Sequence, residues 1–422
     1  MTAPTQAPAA LTQERLSPAN EDIVRATLPL VGSKIDEIAP LFYRRMFAAH
    51  PELLSDTFNR GNQAQGAQQK ALAASVATFA TLLVTPDAPS PRALLERIGH
   101  KHASLGITEA QYQVVHEHLF AAIVEVLGAA VTPEVAGAWD EVYWIMARTL
   151  VSLEAELYRG AGVEPGDVFR TARVVERVDE SSAVASFVLE SATGEPLPGF
   201  QPGQYTSVGV RLPDGARQLR QYSMSDAAGD GRWRITVKRV EAGADPEGEV
   251  SSWLHANLRP GDHLQVTLPF GDLTLDTASG APVVLVSAGI GCTPMLGMLR
   301  HLAAHDPARS VTVLHADRDR ASAPLFGEMV ETVARLGHAS LHAWFEEGAE
   351  PGADGLDPSV PLTVSAGLMS LADVLVPAEA EVYLCGSNGF LQAVREGLHA
   401  QGVAEERVHY ELFAPNDWLL PA

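Results

Sequence analysis

Ser287-Ala288-Gly289-Ile290-Gly291-Cys292-Thr293-Pro294-Met295-Leu296 is the stretch whose reading decides the architecture of this 422-residue chain. It follows the apolar run Val283–Val286 and leads into Met295–Leu302, so a buried strand turns through glycines into a helix. Gly289 and Gly291 let the backbone come close to a phosphate, and the helix start offers free N–H groups to an anion. Pro294 suits the first turn of that helix. A Gly-x-Gly turn also arises from packing alone, so the stretch needs company. Two segments supply it: Arg220-Gln221-Tyr222-Ser223 upstream and Leu384-Cys385-Gly386 downstream.

Length predicts roughly two to four domains, each with its own core. Hydrophobic content of 46% and charged content of 19% fit an ordinary globular chain. No run approaches the roughly 18–20 apolar residues of a membrane span, so none is expected. The N-terminus lacks a basic region followed by an apolar one, and residues 1–16 read as a disordered leader, with the cytoplasm as the default location. Two cysteines cannot build a disulfide framework. Cys292 and Cys385 read either as a redox-sensitive pair or as ordinary buried thiols. The net charge of −22 argues against nucleic acid and anionic membranes as partners. A small neutral or gaseous substrate is indifferent to that field.

Three textures divide the chain. Residues 17–160 read as helical, opening on Ser17-Pro18 and continuing through Gln68–Leu83, Pro91–His102, Glu109–Leu127 and Pro133–Tyr158. Residues 161–276 alternate like strands at Val168–Val178, Val184–Glu190, Gln204–Arg211, Trp233–Val240 and His263–Leu268, which predicts an antiparallel β-barrel. Residues 277–422 alternate apolar strands with helices, which predicts a doubly wound α/β domain. The expected fold is multidomain: all-α, then antiparallel β-barrel, then doubly wound α/β.

Arg220, Tyr222 and their alternates share one face of a strand, where an Arg, a ring and a hydroxyl can clamp a pyrophosphate and stack on a flavin. A polar surface strand is the other reading. Tyr205 in Pro202-Gly203-Gln204-Tyr205 adds a second aromatic, and Gly248-Glu249-Val250-Ser251 starts a helix, with Ser251 able to cap it and its N–H groups facing phosphates. Gly289, Ile290, Gly291, Cys292, Thr293 and Pro294 would hold the dinucleotide phosphates, with Cys385-Gly386 at a strand's carboxyl edge. Glu411-Leu412-Phe413-Ala414-Pro415 would return to cover the flavin. In Asp317-Arg318-Asp319-Arg320 an acid favours a free ribose hydroxyl, hence NADH, while the arginines could accept a 2′-phosphate. Taken in order, these segments resemble the flavin-plus-nicotinamide module of ferredoxin–NADP reductase-like enzymes.

The helical region holds the remaining signal. Leu95, Ile98 and His102 fall on one helix face, whereas His100 points elsewhere. A histidine on an apolar face is either a satisfied core residue or a heme ligand. Leu41-Phe42-Tyr43-Arg44-Arg45-Met46-Phe47, His50-Pro51-Glu52-Leu53, Thr57-Phe58-Asn59, Lys101-His102 and Glu154-Ala155-Glu156-Leu157-Tyr158 occur in this order. They resemble the globin domain of flavohemoglobins, the bacterial and fungal nitric oxide dioxygenases, and the resemblance runs from about residue 17 to the C-terminus.

By position, the resemblance implies that His102 is the proximal iron ligand, that Phe58 packs on the porphyrin, and that Tyr43 donates to iron-bound O2. Gln68 and Leu72 match distal residues across a one-residue length difference near Leu54. Tyr112 and Glu154 match the pair behind the proximal imidazole, and Lys101 a residue that influences the heme and flavin potentials. Core tyrosines and a solvated glutamate remain the plain readings of Tyr43, Tyr112 and Glu154. Departures are Cys292 and Ser387 for Gln and Pro, Ala414 for Gly, a longer Ala242–Glu249 loop and the leader before Ser17.

The implied protein carries heme b and FAD, takes electrons from NADH or NADPH, and converts O2 and nitric oxide to nitrate as a monomer or weak dimer. Two alternatives are an oxygen-binding or sensing globin with a self-reducing flavin module, and a flavin reductase with an inert helical partner.

Overall fold

The computed structural model describes residues 15–413 apart from 65, 87, 89, 91, 230, 244–245, 349–360 and 373, with backbone only at 64, 67 and 93. Ala414 and Pro415 therefore lie outside the described residues.

The first domain is a bundle of α1 (Pro18–Ser33), α2 (Ile35–Ala49), α3 (Pro51–Asp56), α4 (Arg60–Ala64), α5 (Ala67–Val84), α6 (Arg92–Leu105), α7 (Glu109–Leu127) and α8 (Pro133–Gly160). Helix starts follow local chemistry. Pro18 occupies the first turn of α1, where its missing N–H costs nothing. A Thr108–Gln111 capping box opens α7, and the Thr132 hydroxyl accepts from Val135 N–H at the start of α8.

One expectation needs correction. Glu109–Ala130 has the length and mean hydropathy, 1.2, of a segment able to cross a membrane. Here it is a helix of the bundle, because Tyr112, Leu119 and Ala122 sit in the domain core and Val115, Phe120 and Ile123 pack against it.

The second domain is a six-stranded antiparallel sheet of β1 (Phe169–Ser181), β2 (Val184–Ser191), β3 (Tyr205–Arg211), β4 (Arg217–Ser223), β5 (Trp233–Lys238) and β6 (His263–Thr267), in the order β4-β3-β6-β1-β2-β5. A bridge between Met224 and Ile235 brings the two edges together, so the sheet closes on itself. Helix α9 (Glu249–Asn257) covers one end.

The third domain is a parallel sheet of β7 (Val283–Ala288), β8 (Ser310–Asp317), β9 (His338–Phe345), β10 (Leu362–Ala366), β11 (Glu381–Gly386) and β12 (Val408–Leu412). Its order is β10-β9-β8-β7-β11-β12, with α10 (Cys292–His305), α11 (Phe326–Val333) and α12 (Asn388–Ala400) between strands. The chain leaves β7 toward one edge and returns beside it at β11, so the topological switch point falls between β7 and β11. Strand β10 escaped the sequence reading: Thr363 and Ala366 are exposed and the rest only partly buried, so it lacks a continuous apolar run. Ser387, one of the departures noted above, caps α12 by accepting from Phe390 N–H at 3.4 Å.

Barrel and nucleotide domain meet tightly. A Cβ on Gly297 of α10 would stand 2.6 Å from the carbonyl oxygen of Met224. Gly297→Val is expected to cost about 1–3 kcal/mol through overpacking. Differential scanning calorimetry should register a lower transition for these domains, by roughly 2–4 °C per kcal/mol.

Candidate functional site

Helix α6 places Leu95 fully in the core and His102 on the same face, half-buried. The His102 Nδ1 lies 2.9 Å from both the Glu154 Oε1 and the Tyr112 phenol oxygen. Tyr112 in turn donates its O–H to Glu154. Glu154 is 2% exposed, so its charge has these donors in place of water. Burial, then the Glu154 charge, pushes the Tyr112 phenol well above its ordinary range and keeps it a proton donor. With Nδ1 turned to a carboxylate and a phenol, the ring is held in one orientation that leaves Nε2 free as an electron-pair donor.

Tyr43 sits in the same core on α2, 5% exposed. Its ring contacts Phe42 at 4.6 Å, Phe47 at 5.6 Å and Phe58 edge-on at 5.9 Å. Burial raises its pKa, and hydrogen bonds to the side chains of Gln63 and Gln68 oppose that shift. The structure thus brings Gln68 to Tyr43, along with Gln63, which the sequence reading had missed. Leu72 and Phe58 pack against the same core. Beside Leu72 an apolar cavity of about 40 Å³ is lined by residues including Ala39, Ala73, Val76, Leu119 and Val142. The polar atoms of Trp139 and Tyr143, which also line it, are bonded to Thr27 and to the Tyr112 carbonyl.

These residues fit a heme. A neutral imidazole backed by a carboxylate, with one nitrogen free, is the donor set of a proximal iron ligand. A buried phenol and two amides supply polar groups in an otherwise apolar core.

On the barrel, Arg220 and Tyr222 alternate on one face of β4, and Tyr205 pairs in register with Ser223. Arg220 donates to Asn59 of the helical domain at 2.8 Å. Gln221 Nε2 donates to Ser207 Oγ at 3.0 Å, and that hydroxyl donates to Ser104 of α6 at 3.1 Å. One expectation about α9 is corrected. Gly248 is its N-cap residue, and Ser251, inside the first turn, accepts from Val240 N–H and donates to the Gly248 carbonyl. The hydroxyl is pinned by the preceding loop and so does not cap. Val250 is buried beside it, and the first N–H groups of the helix remain for an anion.

In the third domain Gly289 has φ of +53°, and a Cβ on Gly291 would collide with the Cys385 carbonyl. Ile290 lies between the two glycines in a 3-10 turn. Thr293 and Pro294 are buried in the first turn of α10, as is the free thiol Cys292; Cys385 is also buried and free. Burial raises both thiols' pKa values, the Cys292 thiol well above its ordinary range, so neither is an activated thiolate. A Cβ on Gly386 would meet the Phe390 ring at 2.5 Å. The two glycine-dependent turns therefore touch at the switch point. Asp317, at the end of β8, accepts its neighbour Arg318 N–H at 2.8 Å, while the Arg318 guanidinium pairs with Asp319 at 3.1 Å.

Strand β12 brings Glu411 opposite Cys385 and Leu412 opposite Gly386. Phe413 is exposed. Glu411 is buried, and Lys101 and Arg97 of α6 lie within its electrostatic range. Burial, reinforced by Asp272, pushes the Glu411 carboxyl up to about 7.

The architecture defines an oxidoreductase in which a globin-type helical bundle is joined to a flavin- and nicotinamide-type reductase module. The globin family profile matches residues 41–150, an oxidoreductase FAD-binding domain residues 171–275, and an oxidoreductase NAD-binding domain residues 285–396. The flavohemoprotein of Rhizobium meliloti (strain 1021) is 38% identical over 407 residues, 95% of this chain and 99% of that one. That of Deinococcus radiodurans is 40% identical over 416 residues, 96% and 99% of the two chains. The crystal structure of a flavohemoglobin from Malassezia yamatoensis, determined with bound FAD and heme, superposes with a TM-score of 0.84 at 34% identity, covering 95% of this chain and all of that one. The chain belongs to the flavohemoprotein family.

Between pH 4.5 and about 7 the folded chain keeps a proton on Glu411 that the unfolded chain has released. Stability contributed by this group is therefore present at low pH, falls as pH rises through that window, and is constant above it. Glu411→Gln is expected to flatten that slope in denaturant titrations across the window.

Proposed function

We propose that this chain is a NAD(P)H-dependent nitric oxide dioxygenase that converts nitric oxide and O2 to nitrate. Bound heme and FAD would supply the redox chemistry, with iron as the site of O2 binding and the flavin dividing a hydride's two electrons into single ones. His102 is the residue that would hold the iron, and Glu154 with Tyr112 keeps its Nδ1 proton in place, which makes Nε2 the stronger donor. That triad is the observation that carries the reading.

Tyr43 offers an O–H to a ligand in the apolar core, and Gln63 and Gln68 orient it. Phe58 and Leu72 pack against the same core, and the apolar cavity beside Leu72 would admit small apolar molecules such as the two gases. Arg220 and the start of α9 would hold the flavin phosphates, with Tyr205, Tyr222 and Ser223 near the ring. Gly289 and Gly291 leave room for the nicotinamide dinucleotide, and Lys101 would act on the potentials of both redox groups beside Glu411. Asp317 at the strand end, with Arg318 turned to Asp319, favours NADH over NADPH.

The dioxygenase reading draws support from one relative. The FAD/NAD-binding part of a nitric oxide dioxygenase from Vibrio cholerae O1 biovar El Tor is 37% identical, with a TM-score of 0.52 over 58% of this chain and 98% of that one. A sensing globin that merely keeps itself reduced would not couple steady NADH consumption to nitrate release, so that coupling is the decisive assay. Tyr43→Phe removes a hydrogen bond to a charged ligand, worth roughly 1.5–3 kcal/mol. Dioxygenase turnover is expected to fall about ten- to a hundredfold, while flavin reduction by NADH stays normal. Unchanged turnover would rule out that role for Tyr43.

A further inference from the structure

Arg97 lies on α6, the helix that bears His102, and its one side chain joins all three domains. Its Nε donates to the Asp272 carboxylate at the end of the barrel at 3.2 Å. Its Nη2 donates to the Tyr410 carbonyl on β12 of the nucleotide domain at 2.7 Å. The guanidinium also stacks 4.4 Å from the centre of the Tyr410 ring. The planar fork suits this task, because it can bond two fixed acceptors and cover a ring at once.

Both acceptors sit next to groups of the redox site. Asp272 is two residues from Phe270, whose backbone N–H and carbonyl bond to Tyr205 at 2.9 and 2.8 Å. A Cβ at Gly271, between them, would stand 3.1 Å from the Tyr205 ring, so that segment has no slack. The Gly271 N–H donates to His100 Nδ1 at 3.0 Å, a second tie to α6. On the other side, Tyr410 precedes Glu411, which pairs in register with Cys385. Charge adds to geometry: both Asp272 and Glu411 act electrostatically on Arg97, which offsets two acids held close together.

We propose that Arg97 is a positioning residue that locks the end of the barrel and strand β12 against the proximal helix, and so sets the gap electrons cross between flavin and heme. The proposal rests on the electron flow given under Proposed function. It does not concern the hydride step, which lies between the nicotinamide and the flavin.

The test uses the full holoenzyme and its Arg97→Gln, Arg97→Lys and Asp272→Asn variants, with NADH under carbon monoxide in a stopped-flow spectrophotometer. Flavin reduction and heme reduction are followed separately, and the flavin fluorescence lifetime, which nearby heme shortens, reports the gap itself. Arg97→Gln is expected to leave flavin reduction within about twofold of the parent and to slow heme reduction about tenfold, with a longer lifetime. Arg97→Lys, which restores the charge without the fork, should recover part of the rate, and Asp272→Asn should lose part of it. Heme reduction and lifetime both unchanged in Arg97→Gln would overturn the proposal, as would loss of bound heme, which marks a folding role. A parent enzyme whose flavin never reduces the heme would instead overturn the dioxygenase reading.

Discussion

A carboxylate cut off from water at the centre of a helical bundle imposes the strictest constraint on this molecule. Glu154 is stable there only because the Tyr112 O–H and the His102 Nδ1–H point at it. Three helices must hold register for this: α6 carries the histidine, α7 the tyrosine and α8 the acid. The capping chemistry at the starts of α7 and α8 has a functional consequence, since a slip of one residue would turn Tyr112 or Glu154 off the shared axis. Tyr143 adds a further tie by donating to the Tyr112 carbonyl at 2.5 Å.

The barrel is joined to this bundle by an apolar cluster, Ala103 and Tyr158 against Val168, Tyr205, Leu268 and Phe270, and by a set of polar contacts. Arg60 bonds Asp214 and Glu249, Arg217 pairs with Asp56, and Arg220 reaches Asn59, the neighbour of Phe58. A residue that packs in the helical core is thus one peptide away from a group that bonds the arginine proposed to hold the flavin phosphates. Hydroxyl contacts from Gln221 through Ser207 to Ser104 repeat the arrangement two residues beyond His102. Such contacts contribute modestly to stability one by one, yet they fix orientation, which electron transfer between separate redox groups demands.

Barrel and nucleotide domain are coupled differently. Gly297 lets α10 ride directly on the Met224 backbone, and Arg234 and Arg300 converge on Glu328. Close backbone contact with partly buried charge pairing joins barrel and nucleotide domain into one unit.

Much of this was legible in the chain because it is local. Helix α7 begins at Glu109 and ends at Leu127 as periodicity required, and the strand-turn-helix at Val283–Leu302 follows from an apolar run, two glycines and a proline. The face shared by Leu95, Ile98 and His102 is likewise a matter of spacing along one helix. Partners distant in sequence carry no such mark. His102 meets Glu154 across 52 positions, and Arg97 meets Tyr410 across 313. The first pair was reached only through family resemblance, and the second not at all. Gln63 reaching Tyr43 stayed hidden for the same reason, whereas the edge strand β10 was missed for want of an apolar run and at α9 only the capping residue was misread. Sequence alone determined which segments could bury an apolar face and where the backbone could turn. Packing among those segments decided which polar groups ended up without water, and therefore which had to find each other.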